Sequence, residues 1–207
     1  MPLHVIDHPI VHDALMELRD ARTQPPAFRR AANRISVLLA AEALRALPST
    51  TTTVVTPLGP APGRVVSCDV VVVPVLRAGL GMLDAVLELL PAARVGHIGL
   101  QRDELTAVAS QYYSKLPARL GNSHVLMIDP MLATGGSAVA AIDLIKAAGA
   151  RDISMICIVS APEGVALLES RHPDVAVYTP VIDRELNAHK FIVPGLGDFG
   201  DRLYGTT

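Results

Sequence analysis

Aromatic residues are almost missing from this 207-residue chain: three Phe, four Tyr and no Trp amount to 3% of it. Half the residues are apolar, so a core must be built from Val, Leu, Ile and Ala, as buried parallel sheets usually are. Cysteine is scarce as well. Cys68 and Cys157 stand far apart, with no C-x-x-C and no His at ligand spacing. That excludes a disulfide framework or a zinc ribbon and suits buried thiols in a reduced compartment. There is no Lys/Arg run, and 18 basic residues against 20 acidic ones leave a net charge of −2. The cationic footprint of a general nucleic-acid binder is therefore absent. The most apolar region, Val70 to Leu90, is broken by Arg77, Asp84 and Glu88 and does not read as a membrane span. Met1-Pro2-Leu3-His4-Val5 lacks a charged segment followed by an apolar one, so no secretory signal is read and a cytoplasmic protein is expected.

A chain of 21.9 kDa suits one domain with a sizeable core. Apolar residues recur at helical spacing over His8–Arg22 and Phe28–Leu47, for example at Leu38, Ala41, Leu44 and Leu47. Thr50–Thr56 is polar and β-rich and is predicted as an edge strand. After Gly63 strands alternate with helices: Val70–Val75 (strand), Leu80–Leu90 (helix), Val95–Leu100 (strand), Val125–Ile128 (strand), Ala138–Ala148 (helix), Ile153–Ser160 (strand), Glu163–Arg171 (helix) and Val175–Ile182 (strand). This order predicts an α/β fold, a parallel sheet flanked by helices on both faces. The expected organisation is residues 1–63 as N-terminal helices and an edge strand, 64–185 as an α/β core, and 186–207 as a tail. Phe191–Gly205 is rich in Gly and Asp and is predicted to be non-helical. His4, His8 and His12 recur every four residues. Pro9 interrupts a helix through them and no carboxylate completes a ligand set, so they are read as ordinary residues. His97, inside a strand, is read as a core or interface histidine.

Ligands of parallel sheets bind at the carboxyl ends of the strands. The segment there with the most chemistry is Asp129-Pro130-Met131-Leu132-Ala133-Thr134-Gly135-Gly136-Ser137. Its Thr/Gly/Gly/Ser turn exposes backbone N–H groups and hydroxyls at a helix N-terminus, a natural seat for a phosphate. Asp129 at the strand's end suits sugar hydroxyls or a metal-bound water. No Walker Lys follows the glycines, and the G-x-G-x-x-G spacing of dinucleotide folds is absent. These features point to a phosphorylated sugar. Arg77 lies in the Gly-flanked turn Leu76-Arg77-Ala78-Gly79-Leu80-Gly81, where backbone can approach an anion and the guanidinium fork suits a diphosphate. Arg102 is a second candidate anion ligand; its plainer reading is a surface Arg paired with Asp103 or Glu104. The polar segment Asp103–Pro117, with Tyr112-Tyr113-Ser114-Lys115, reads as a lid or as a solvated hairpin.

The Asp129–Ser137 loop resembles the phosphoribosyl-diphosphate motif of type I phosphoribosyltransferases. With Pro130 in place of a second acid, it is similar to the uracil phosphoribosyltransferase branch. Pro194-Gly195-Leu196-Gly197-Asp198-Phe199-Gly200-Asp201-Arg202 resembles that branch's uracil-recognition segment. The similarity extends over nearly the whole chain, through His8-Pro9, Leu18-Arg19, Thr56-Pro57-Leu58, Leu76–Asp84, Val95–Leu100 and Pro162-Glu163-Gly164. It implies a type I phosphoribosyltransferase-like fold with a mobile hood over 103–117 and a C-terminal base-recognition segment. The implied reaction joins uracil to phosphoribosyl diphosphate, giving UMP and diphosphate. By the same resemblance Arg77, Asp129 and Asp198 are catalytic; Arg77, Arg102, the residues Asp129 through Ser137 and Asp198 bind the phosphoribosyl diphosphate. Backbone groups at Ile192, Gly197 and Phe199, with Asp198 beside them, take the base. Mg²⁺ is expected to arrive mainly with the diphosphate, since no all-protein ligand cage is evident.

Further implications are a homo-oligomer, dimer or larger, and GTP as the effector of some family members, with neither membrane nor nucleic acid as partner. Departures from the pattern are Phe191 where Tyr is frequent and Phe199 where Ala is common, the latter narrowing the base pocket if its ring turns inward. Asn33 and Ala41 stand where Glu and Tyr are usual, and the 103–110 segment differs from the usual lid. Two alternatives are a pyrimidine-operon regulatory RNA-binding protein on the same fold and a phosphoribosyltransferase for another base. The first predicts a basic face and a two-acid loop, which this chain lacks.

Overall fold

The computed structural model describes residues 1–102 and 109–206. The chain opens with β1 (Leu3–Val5), α1 (Pro9–Arg19) and α2 (Pro25–Ala43), followed by β2 (Ser49–Thr56) and β3 (Gly59–Val66). Next come β4 (Asp69–Leu76), α3 (Leu80–Leu89), β5 (Arg94–Val95), β6 (His97–Arg102) and β7 (Ala109–Lys115). Then follow β8 (Ser123–Ile128), β9 (Met131–Leu132), α4 (Gly136–Ala147), β10 (Asp152–Ile156), β11 (Val159–Ser160), α5 (Pro162–Arg171) and β12 (Ala176–Thr179). β13 (Glu185–Leu186), β14 (Ile192–Val193) and α6 (Phe199–Tyr204) complete it.

The main sheet runs β1-β12-β10-β8-β4-β6-β7, with β5 also on β4, and only the β6–β7 pair is antiparallel. Its central strands are buried on both faces, and their side chains sort by parity. Val72, Leu126, Ile128 and Ile156 pack with α1, α2, α3 and α6, whereas Val71, Val73, Val125, Met127 and Met155 pack with α4 and α5. That period of two is what a pleated strand imposes. A continuous Val run can therefore serve two cores at once. Proline sets the helix starts: Pro9, Pro25 and Pro162 each stand at the first helical position, where the missing N–H has no partner to lose.

Several expectations need correction. Residues 49–56 are no edge strand of the main sheet; β2 and β3 form their own hairpin, closed by the two residues between Thr56 and Gly59. The predicted Val95–Leu100 strand breaks at Gly96, whose N–H donates to Val72 O at 3.0 Å while a Cβ there would meet Leu116 and Pro117. The predicted Ile153–Ser160 strand is likewise two pieces, β10 and β11. The tail does contain a helix, α6. Asp198 caps it by accepting from Asp201 N–H at 2.8 Å, and Phe199 and Leu203 anchor it in the core. Cys157 is buried, but Cys68 is only half-buried.

Pro9 does start a helix after His8, whose Nδ1 accepts from Ile10 N–H at 3.1 Å. His12 bonds Asp7 and His4 stacks on Tyr178, so the three histidines have ordinary roles. His97 is half-buried. No helix among the described residues is long and apolar enough to cross a membrane.

Candidate active site

At the carboxyl ends of β4 and β8 the sheet opens into a cleft of about 370 Å³. One wall is the loop after β8. There the parallel pairing of β8 with β10 stops at Ile128 and Ile156, then resumes three residues on, in the same register, as β9 with β11. Asp129 and Pro130 fill the gap. Pro130 has no N–H to offer a ladder; it is buried, and its carbonyl instead accepts from Ile158 and Val159 at 2.9 and 3.1 Å. Asp129 is thereby held at the cleft floor, 8% exposed, with its Oδ1 3.4 Å from Met131 N.

Gly135, at φ +83, then turns the chain into α4. A Cβ at Gly135 would meet Gly164 O at 2.9 Å, and one at Gly164 would meet Ala133 O at 2.5 Å and Leu132 O at 2.9 Å. Two glycines on different segments thus let the loop lie flat against α5. The N–H groups of the first turn of α4 have no partner within the helix and carry a partial positive charge, with Thr134 Oγ1 accepting from Gly136 N at 3.4 Å.

The second wall is the turn from β4 into α3. Gly79 N–H donates to Val75 O at 2.8 Å, and a Cβ at Gly79 would meet Ile128 O at 2.5 Å. The turn is pressed against the end of β8 as a result. The Leu76–Arg77 peptide is cis. The Arg77 side chain is 62% exposed and its Nη2 lies 3.6 Å from Asp201 Oδ1, a loose contact worth little in solvent. Its guanidinium stands at the mouth, available to an anion.

The third wall comes from the tail. Asn187 Oδ1 accepts from both His189 N and Phe191 N, folding residues 187–191 into the tip of the β13–β14 hairpin. Beyond Ile192, the glycines Gly195 (φ +58) and Gly197 (φ +81) reverse the chain, using conformations that side chains disfavour. Phe199 points away from the cleft centre: it is 1% exposed and meets Phe28 edge-on, ring centroids 5.1 Å apart. Gly81 makes room for it, since a Cβ there would meet Leu203 at 2.6 Å and Phe199 at 3.2 Å. Phe191 is 48% exposed at the cleft wall.

Arg77, Asp129, Met131, Leu132, Ala133, Gly135, Ser137, Ile192, Gly197, Asp198 and Phe199 all line this one cleft. Pro130, Thr134 and Gly136 belong to the same loop without forming its wall. Arg102 closes β6, and its side chain lies outside the described residues, as does the 103–108 part of the predicted hood. Residues 109–115 are β7. Among the wall residues that had no earlier role are His189 and Lys190. The signal for them was Asn187 shortly before Phe191, because an Asn side chain commonly organises a reversal. Lys190 sits at φ 64.

Comparison with known proteins agrees with this geometry. The model of the family described as uracil phosphoribosyltransferase matches residues 5–206. A uracil phosphoribosyltransferase of Dictyoglomus thermophilum is 53% identical over 203 residues, 98% of either chain. The solved structure of an Aquifex aeolicus protein superposes with a TM-score of 0.95 at 32% identity, covering 99% of both chains. At 12% identity and a TM-score of 0.52, a hypoxanthine-guanine phosphoribosyltransferase of Bacillus anthracis shares the fold, over 89% of this chain and 85% of its own. Matched along residues 5–206 by that model, and with relatives about half identical over nearly its whole length, the chain belongs to the uracil phosphoribosyltransferase family.

Proposed function

We propose that the chain transfers the 5-phosphoribosyl group of 5-phospho-α-D-ribose 1-diphosphate to uracil, giving UMP and diphosphate. The observation that carries this reading is convergence. Asp129, Ser137, Arg77, Ile192 and Asp198 come from segments far apart in sequence yet wall a single cleft. The first turn of α4, with Thr134, Gly135, Gly136 and Ser137, seats the 5′-phosphate through backbone N–H groups and hydroxyls. Asp129 accepts from the ribose hydroxyls. Arg77, with Arg102, holds the diphosphate. Backbone groups of Ile192, Gly197 and Phe199 take the base, and uracil is preferred because its edge alternates acceptor and donor. Cytosine would leave buried groups unpaired.

In the reaction the ribose C1–oxygen bond breaks, a C1–N1 bond forms, and N1 loses its proton. Positive charge develops on the sugar and negative charge on the leaving diphosphate. The protein's contribution is positioning and electrostatics. Arg77 meets the leaving charge, and the loop and tail hold the reacting atoms in line. Asp198 lines the cleft with Oδ1 committed to Asp201 N–H. It is the group for organising a metal or for receiving the N1 proton. Mg²⁺ binds through one or two carboxylates together with substrate phosphates, and Asp129 and Asp198 are cleft carboxylates that fit that requirement. When bound, it would neutralise charge on the diphosphate.

The same proposal includes a cytoplasmic location and a homo-oligomer. The β2–β3 hairpin supports the latter: among the described residues it pairs with no other strand, and it leaves Val55 90% and Leu58 fully exposed. Regulation by GTP enters as an arm of the assay. Diphosphate release is measured with phosphoribosyl diphosphate and Mg²⁺, comparing uracil, cytosine, hypoxanthine and no base, with and without GTP. Release with uracil alone is expected. Release with another base would overturn the role given to residues 192–199.

A further inference from the structure

The tail's glycine turn is held by one pair of side chains from outside it. Arg19, at the end of α1, sends Nη2 to Asp183 Oδ1 at 2.6 Å and Nη1 to Asp183 Oδ2 at 3.0 Å. The same Nη1 donates to Gly195 O at 2.8 Å, while Gly195 N–H donates to Asp183 Oδ2 at 2.8 Å. Both backbone polar groups of Gly195 are thus taken by one two-pronged ion pair. The side chains are 17% and 4% exposed, so water competes little. A planar guanidinium can satisfy a carboxylate fork and a carbonyl together; an ammonium cannot.

Gly195 has no slack of its own. A Cβ would sit 2.2 Å from Ile192 O, so the turn folds back onto the residue whose backbone is proposed to meet the base. Gly197 and Phe199 follow directly. Arg202 ties the far side of the segment to the same post, donating to Leu196 O at 2.7 Å and to Asp20 O at 2.6 Å.

We infer that Arg19 and Asp183 are positioning residues for base selection: they fix the register of Ile192, Gly197 and Phe199 without touching substrate. This rests on the tail being the base site. A pair that merely held the fold together would, when weakened, disturb both substrates alike. A pair that sets tail register acts first on the base, because the phosphate loop is braced separately by Gly164 and the β4–α3 turn by Gly79; Asp198, in the same tail, passes on only a smaller effect to the sugar diphosphate.

The test is steady-state kinetics on three variants, with melting temperature followed in parallel. Arg19→Lys keeps the charge but loses the fork. Arg19→Met/Asp183→Leu removes both charges and leaves no unpaired ion, which guards against a variant that fails to fold. Gly197→Ala perturbs the proposed base wall directly. The expected result is a rise of about tenfold or more in KM for uracil in all three, with KM for phosphoribosyl diphosphate within about twofold and weaker discrimination against cytosine. Equal rises in both KM values, or an unchanged uracil KM in the two Arg19 variants while Gly197→Ala raises it, would overturn the positioning role alone. An unchanged uracil KM in Gly197→Ala would overturn the base-site reading and the positioning role with it.

Discussion

Gly164→Ala is a severe perturbation delivered from outside the cleft. Gly164 lies in α5 and lines no part of the substrate cavity, yet a Cβ there would stand 2.5 Å from Ala133 O and 2.9 Å from Leu132 O. Both obstacles are backbone atoms of the loop proposed to seat the 5′-phosphate. Ordinary van der Waals contact begins at 3.4 Å, so loop and helix must separate by about 0.9 Å, the difference from 2.5 Å. A misplacement near 1 Å at a positioning element costs on the order of 10²-fold in rate. Overpacking of this kind destabilises by about 1–3 kcal/mol, which for a chain of this size lowers Tm by about 2–12 °C. The expected result is a drop of about 10- to 100-fold in kcat/KM for phosphoribosyl diphosphate, assayed by diphosphate release, in a protein that still melts cooperatively. Gly63→Ala is the control, because nothing lies within 4 Å of a Cβ there; it should be silent. Wild-type kcat/KM and Tm in Gly164→Ala would refute the claim that this close approach sets the loop.

Other expectations follow from charge. Arg77→Ala should lower kcat by about 10²–10³, the effect of removing a donor aimed at developing charge. Its Tm should hardly move, since the side chain is 62% exposed and 3.6 Å from its partner. Burial pushes the Cys157 thiol from 9.0 up to about 11. Its contribution to stability is therefore complete below pH 9 and fades as pH rises toward 11. A thiol-exchange titration of the native protein at neutral pH should leave Cys157 unreacted, and denaturant should release it. On the acid side, Arg94 and then Ser123 hold the Asp69 carboxyl below its ordinary value, and Arg22 holds Asp20 at about 2. Stability from these carboxylates is present above their ordinary value near pH 4 and is lost as pH falls through their lowered values, about 2 for Asp20. Arg94→Met should flatten that loss in melting curves.

The chemistry-bearing loop was legible because strand, acid, small residues and helix follow each other without interruption from Val125 to Ala138. Its neighbours were legible for the same local reason: Arg77 sits between an apolar strand and a helix with a clear stripe. What escaped depends on partners remote in sequence. β1 spans three residues and exists because Leu3, His4 and Val5 pair with Val177, Tyr178 and Thr179. Residues 59–66 contain Pro60, Pro62 and two glycines, poor strand formers tolerated because their hairpin lies outside the main sheet. The six residues of α6 are hidden by glycines and acids. The readable signs were an N-capping Asp198 and the Phe199/Leu203 pair four apart, which share one face. The direction of the Phe199 ring followed from Gly81 and Phe28, about which residues 191–205 say nothing.

The tail's moorings also bear on when the enzyme is completed during synthesis. Arg202 donates to Leu18 O across 184 residues, and Arg19 reaches Gly195 O across 176. The helix that serves as the mooring post leaves the ribosome some 176 residues ahead of the segment it holds. At about 5–20 residues per second, α1 waits roughly 10–40 s for its partners. A nascent chain already carrying the sheet, the phosphate loop and Arg77 is equipped for the sugar diphosphate before it has any place for a base. The cleft acquires its third wall only once residues 189–200 have emerged.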